Sequence, residues 1–319
     1  MTWRHRAGGW PGRAPESGPD AARAVWDHAF VPQSLDDLVT LLDLERIEEN
    51  LFRGRQPDTS LQRVFGGQVA GQALVAAVRT VPAERSVHSL HSYFLLPGDP
   101  SVPIVYDVEH VRDGRSFATR RVAARQHGNV IFYLTASFQV AEDGLDHQDA
   151  MPSVPEPDEC TELAELFAVL SKAPRSAWDR EWAALDIRYA GDSRRVREWQ
   201  SEHHPAQARL WMRAAGDLPD DPTTHACVLT YASDLSLLGA TLIPHDLHIG
   251  APGLLTASLD HSMWFHRPFR ADEWLLYDQV SPSASGGRGL AVGRVFTRDG
   301  RLVATVAQEG LIRVSPKQR

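Results

Sequence analysis

Apolar and polar residues alternate along this chain with two periods, and the boundaries between the periods mark its elements. Ser34-Leu35-Asp36-Asp37 reads as a helix cap with acidic first-turn residues, and Leu38, Leu41 and Leu42 follow at helical spacing. Leu44 to Phe52 alternates loosely and predicts a first strand. From Phe65 to Val78 the chain is Ala- and Leu-rich and apolar on all sides, which predicts a helix that other elements must enclose. The period then becomes two. Val87 to Leu95, Val102 to Arg112, Phe117 to Arg125 and Val130 to Val140 predict antiparallel strands joined by Gly-containing turns.

Glu142 to Trp182 is rich in Pro, Asp and Glu and reads as a connector, with one apolar helix around Leu163 to Leu170. Beyond it come strands at Leu185 to Tyr189 and Ala208 to Ala214, a helix over Thr230 to Leu242, and strands over 254–265, 273–281, 288–298 and 302–313. Strand, helix and meander thus occur twice, which makes an α+β chain. Short motifs agree. Leu90-His91-Ser92-Tyr93-Phe94 returns as Asp260-His261-Ser262-Met263-Trp264, and His91 and His261, Tyr106 and Tyr277, and Gly128 and Gly300 all stand about 170 residues apart. The division expected is a disordered tail over 1–34, a first domain over 35–142, a linker with a short helix over 143–182, and a second domain over 183–319.

Composition narrows the class. A net charge of −8, with 31 Arg but only 2 Lys, provides no general basic field for nucleic acid. Two cysteines, Cys160 and Cys227, make neither a disulfide framework nor a cysteine metal site, which suits a reducing cytoplasm. No apolar run nears the ~20 residues that span a bilayer, and the first residues lack the apolar core of a secretory signal. The C-terminal Lys317-Gln318-Arg319 matches no peroxisomal or endoplasmic-reticulum address. Arg194-Arg195-Val196-Arg197 to His203-His204 has no counterpart in the first copy; a phosphate clamp is one reading, and a solvated insertion loop is the plainer one. His203-His204 lacks a third metal ligand at a recognised spacing.

The usual hydrolase and nucleotide motifs are missing: there is no Gly-x-Ser-x-Gly elbow, phosphate loop or His-Glu-x-x-His sequence. Comparison of the two copies offers more. Asp234 stands near the entry of the second predicted helix, where the first copy has Gly66-Gly67; Ser258 lies at the offset of His88, and Gln308 at that of Ala136. A carboxylate, a hydroxyl and an amide on three core elements are sufficient to hold one water, with Asp234 as general base. An N-cap Asp, a sheet Ser and an edge Gln are the structural alternatives. Gly66, Gly67 and Gln68 begin the first buried helix, whose unpaired N–H donors suit a developing oxyanion as well as they suit tight packing. His261 looks catalytic beside Asp260, but His91 holds the same motif position without an acid, which favours a structural hydrogen bond shared by the copies.

Six segments carry a resemblance. They are Phe65-Gly66-Gly67-Gln68-Val69-Ala70-Gly71-Gln72-Ala73, His88 to Phe94, Arg112 to Phe117, Tyr231-Ala232-Ser233-Asp234-Leu235, Leu259 to Phe269, and Gln308-Glu309-Gly310. Together they resemble the type II acyl-CoA thioesterase family, across about residues 35 to 315. The resemblance implies a double hotdog fold, in which each copy is a long helix held by a curved antiparallel sheet. It also implies hydrolysis of fatty acyl-CoA to free acid and CoA without cofactor or metal, and homodimers or homotetramers. The family's water-activating Asp, Thr and Gln fall on Asp234, Ser258 and Gln308, so Ser replaces the more familiar Thr while its hydroxyl remains. The stretch from Asp186 to His204 departs from the family pattern, and no substrate contact is carried over there. A hotdog enoyl-CoA hydratase would need an Asp and His pair on the central helix, and Asp234 has no His on its helix before His245. A non-catalytic acyl-CoA binding module is the other alternative, opposed by the polar trio.

Overall fold

The computed structural model describes residues 34–194 and 206–315. The expected N-terminal tail, most of the Arg-rich stretch with His203-His204, and Lys317 to Arg319 lie outside the described residues. Helix α1 (Leu35–Leu42) starts where its cap predicts, with the Ser34 side chain accepting from the Asp37 N–H, and it buries Leu35, Leu38, Leu41 and Leu42. The first expected strand is instead a hairpin, β1 (Leu44–Glu48) and β2 (Leu51–Gly54), because the chain turns at Glu49-Asn50. Helix α2 (Gly66–Val78) is buried from Gly67 to Ala77. Strands β3 (Arg85–Phe94), β4 (Val105–Asp113), β5 (Phe117–Gln126) and β6 (Asn129–Val140) then form the meander read from the alternation.

The connector does more than span. Its first part lies against the second half, where Met151, Val154 and Cys160 pack on Ala190, Trp211, Leu276 and Phe296. Gln148 bonds the backbone at Gly300 and Leu302, and the Trp211 indole donates to Pro155 O. Next come the two-residue strand β7 (Thr161–Glu162), α3 (Leu163–Ser171) and a second helix, α4 (Arg175–Trp182), which the pattern did not predict. Its apolar signal is only Trp178 and Trp182, one turn apart.

Strands β8 (Leu185–Asp192) and β9 (Gln207–Ala214) open the second half. The helix expected over 230–242 is displaced. Helix α5 runs from Pro222 to Ser233, with Asp221 capping the Thr223 and Thr224 amides and Pro at its first position. It ends at Asp234, and a 3-10 helix continues over Leu237–His245. Asp234 is therefore at the exit of the buried helix and not at its entry. The helix it caps does carry a histidine, His225, against expectation, and its Nδ1 accepts from the Ala271 amide. The combined stretch Pro222–His245 corrects a further expectation, since it is long and apolar enough to cross a membrane by length and composition. However, 78% of its apolar window is buried in the fold, as befits a core element.

The strand expected over 254–265 is broken at Leu259 into β10 (Leu254–Ser258) and β11 (Asp260–Phe265). β12 (Leu275–Ser285), β13 (Arg288–Thr297) and β14 (Leu302–Val314) complete the second meander. All strands join one sheet in the order β1-β2-β4-β5-β6-β3-β11-β14-β13-β12-β9-β8-β7, with β10 also paired to β14. The main hydrophobic core runs through both halves, and α2 packs against α5 between them. Small residues permit this close crossing: a Cβ on Gly67 would meet Tyr231 O at 2.2 Å, and one on Gly71 would meet Cys227 O at 3.4 Å. Two tandem copies of a buried helix on an antiparallel sheet make this an α+β double hotdog.

Register sharpens the repeat. At the β3–β11 junction Leu90 pairs with Met263, His91 with Ser262 and Ser92 with His261. Leu90, Ser92, His261 and Met263 are buried, whereas His91, Tyr93 and Trp264 are exposed. His91 and His261 thus face opposite sides of the sheet, and the shared role expected for them is wrong by one residue. The true counterpart of His261 is Leu90, and that of His91 is Ser262. Both copies interrupt their pairing at the same point, at His88 in β3 and at Leu259 between β10 and β11. Ser258 therefore corresponds to Val87 and not to His88, while Gln308 still corresponds to Ala136.

The outer faces of the halves differ. Asp278 is fully buried, its carboxylate bonded to Gln207, Arg209 and Arg294, and Arg294 reaches on to Asp149 of the connector. Asp107, its counterpart, is exposed on an open groove of about 430 Å³ that Glu109, Arg121, Arg125 and Tyr133 also line.

Candidate active site

The end of α5, the end of β10 and the middle of β14 converge. Asp234 caps α5 at φ −77° and ψ −14° and turns its carboxylate toward the start of α2. Its Oδ1 accepts from Ser258 Oγ at 3.1 Å and from Gln308 Nε2 at 2.5 Å, and Gln308 Nε2 also lies 2.7 Å from Ser258 Oγ. The Gly67 backbone N–H donates to the same carboxylate. Gly66 comes so near that a Cβ there would stand 2.5 Å from Asp234 Oδ2 and 2.9 Å from the Phe94 ring. A carboxylate at the negative end of its own helix is unfavourable, but here the positive end of α2 faces it.

Asp234 and Ser258 are partly exposed, while Gln308 is wholly buried. Burial raises the Asp234 pKa to about 6, against the donors Gln308, Ser258 and Gly67, which lower it. A carboxylate poised there is ionised at neutral pH yet basic enough to take a proton from water. Phe65 packs edge-on against Trp182 and Tyr231, with ring centroids 4.7 and 5.1 Å away, so apolar walls flank the start of α2.

The structure brings Asp234, Ser258 and Gln308 together, as the sequence comparison expected. It treats the glycine group differently. The Gly67 amide is taken by Asp234, the Gln68 amide bonds Phe65 O, and the Gln68 side chain reaches Arg55 O. Gly66, the first residue of α2, has an N–H with no acceptor inside the helix. Asp260 accepts from the Glu309 amide at 2.7 Å, and His266 Nε2 lies 2.8 Å from Thr305 Oγ1, so both serve the sheet. The Gly67 contact with Asp234 went unread in the sequence, because it needs the ends of two helices from different halves to meet.

The architecture is that of the double hotdog proteins, and comparison with known proteins identifies the family. Residues 180–311 match the acyl-CoA thioesterase family, and residues 55–139 match the acyl-CoA thioesterase N-terminal domain. The chain belongs to the type II acyl-CoA thioesterase family. It is 41% identical to acyl-CoA thioesterase 2 of Haemophilus influenzae over 286 residues, 88% of this chain and 98% of that one. It is 42% identical to acyl-coenzyme A thioesterase 8 of Homo sapiens, over 94% of this chain and 96% of the other. The crystal structure of the acyl-CoA thioesterase II TesB2 from Mycobacterium marinum superposes with a TM-score of 0.73 at 48% identity, covering 87% of this chain and 98% of that one.

Proposed function

We propose that the chain hydrolyses fatty acyl-CoA to free acid and CoA by direct attack of a water held by Asp234, Ser258 and Gln308. The observation that carries this reading is the convergence of Ser258 Oγ and Gln308 Nε2 on one oxygen of a carboxylate whose pKa is raised to about 6. Asp234 takes one proton as the water oxygen bonds to the thioester carbon. Collapse of the tetrahedral intermediate breaks the C–S bond, and the proton on Asp234 passes to the departing thiolate. Ser258 and Gln308 orient the water, and the Gly66 N–H is the remaining α2 donor for the carbonyl oxygen. The reading asks for no metal or cofactor.

The test is thiol release from a long-chain acyl-CoA. Asp234→Asn is expected to lose about 100-fold or more in kcat with the fold intact, and undiminished turnover would remove Asp234 from the mechanism. A single turnover in ¹⁸O-water tests one covalent route. Label in the Asp234 carboxylate would mean an acyl-enzyme anhydride opened by water at Asp234, whereas label confined to the fatty acid excludes that opening and agrees with direct attack.

A further inference from the structure

His261 lies wholly buried behind the cluster, directly beside Gln308 in register, since Ser262 pairs with Ala307 on the adjacent strand. Its Nε2 is 2.9 Å from Ser233 Oγ. Its Nδ1 and the Oε1 of Gln308 are both buried, and among the described residues neither finds a partner at ordinary hydrogen-bond geometry. The two atoms lie buried on adjacent strands at the same register, and burial pushes the His261 pKa down to about 4, with Gln308 acting against it. Two buried polar atoms left without partners are costly unless they serve one another.

The amide has two orientations, and only one suits the site. With Nε2 forward, Gln308 donates to Asp234 and Ser258. With Oε1 forward, it would set a carbonyl oxygen against an ionised carboxylate. The forward orientation leaves Oε1 facing His261, so Nδ1 must carry the ring proton and Nε2 must accept. Ser233 can satisfy that by turning its hydroxyl to the ring and away from Thr230 O and Met263 Sδ, its other neighbours.

The duplicate half supplies an independent argument. The counterparts of His261 and Gln308 are Leu90 and Ala136, direct cross-strand partners that are both fully buried. The fold therefore closes at this place with two apolar residues. The polar pair replaces them only in the half that carries Asp234.

We propose that His261 is a positioning residue of the site: held by Ser233, its ring fixes the Gln308 amide with Nε2 toward Asp234 and Ser258. This rests on the hydrolytic reading of Asp234 given above. His261 touches neither Asp234 nor the water; it acts through Gln308.

The test compares His261→Leu, His261→Asn, Ser233→Ala, Gln308→Ala and the His261→Leu/Gln308→Ala double variant by thiol release, over pH, beside thermal melts. His261→Leu is expected to lose about 10- to 100-fold in kcat with KM little changed. Its acid limb should move above that of the unaltered protein, because Asp234 loses a donor that favours its ionised form. His261→Asn, which keeps an N–H near the Nδ1 position, should recover most of the rate, and Ser233→Ala should fall between. In the Gln308→Ala background, His261→Leu should cost nothing more. Equal rate losses from His261→Leu in both backgrounds, or an unmoved acid limb, would leave His261 a packing residue only. If His261→Leu does not fold, the pair His261→Asn and Ser233→Ala decides: an unchanged acid limb and rate in Ser233→Ala with a full loss in His261→Asn overturns the idea. Asp234→Asn run alongside keeps the failures apart. Turnover that survives it defeats the hydrolytic reading, whereas its loss combined with additive His261 and Gln308 effects defeats only this inference.

Discussion

His91 Nδ1 lies 3.1 Å from Ser262 Oγ, directly across the strand pair that joins the two halves. Because each is the other's counterpart in the repeat, the twofold relating the copies passes through this pair. Ser92 Oγ donates to His261 O at 2.7 Å one residue away, on the buried side. The seam therefore makes one sheet of two, and residues facing inward at it, such as His261, look into both halves at once.

Hydrolysis should fall as pH drops through about 6, the value to which burial raises Asp234, because the proton acceptor is lost on protonation. The stability term has the opposite sense. A carboxyl that holds its proton more tightly folded than unfolded gives stability below its ordinary pKa of 3.8 that is withdrawn as pH rises toward 6. Melting temperature measured against an Asp234→Ala variant from pH 3.5 to 7 should show the unaltered protein losing ground as pH rises, in the interval where its activity grows. Parallel curves would mean that Asp234 titrates as an ordinary carboxyl.

Adjacent glycines should fail in different ways. A Cβ on Gly66 meets the Asp234 carboxylate and the Phe94 ring, groups able to move, whereas one on Gly67 meets the Tyr231 carbonyl of the facing helix at 2.2 Å. Gly66→Ala is expected to keep its melting temperature within a few degrees and lose at least about 10-fold in kcat by displacing the base. Gly67→Ala should be destabilised by about 1–3 kcal/mol or more through overpacking, seen in denaturant melts.

Much of the architecture is legible in the chain because β-alternation records which side of a sheet is buried, and both meanders were placed to within a few residues by it. The candidate residues Asp234, Ser258 and Gln308 come from comparing the copies and from the family resemblance, and the structure brings them within hydrogen-bonding distance. What escaped has physical causes. The start of α5 is Asp221-Pro222-Thr223-Thr224-His225, a cap signal carried by polar residues that look like a solvated stretch in the sequence, although two of them, Thr224 and His225, are buried. The single-residue error in matching His91 to His261 follows from identical letters outweighing side-chain direction, which alternates with each residue. No spacing encodes the meeting of Gly67 with Asp234, because two helices from separate copies must first cross.

Ser258→Ala should reduce kcat by about 10-fold and shift the acid limb upward. The hydroxyl both orients the water in the proposed mechanism and donates to Asp234 Oδ1 at 3.1 Å, which favours the ionised carboxylate. A kinetic pH profile reads both effects, and an unmoved limb would show that the hydroxyl does not reach Asp234 in solution.

Asp278 offers a control remote from the chemistry. Its buried carboxylate holds Arg209 Nε at 2.8 Å and an Arg294 nitrogen at 2.5 Å, so Asp278→Ala strands cationic groups and should cost about 3–5 kcal/mol. Chemical denaturation should show that loss while kcat per folded molecule stays unchanged. A fall in kcat at constant stability would tie the outer face to the site.

Asp234 caps a helix of the second half and takes an amide from the first residues of a helix in the other. Along the chain, α2 comes before α5, and β14 with Gln308 comes after both. Asp234 has its full set of partners only where both halves meet. In the mechanism proposed above, turnover therefore waits on the meeting of the two halves.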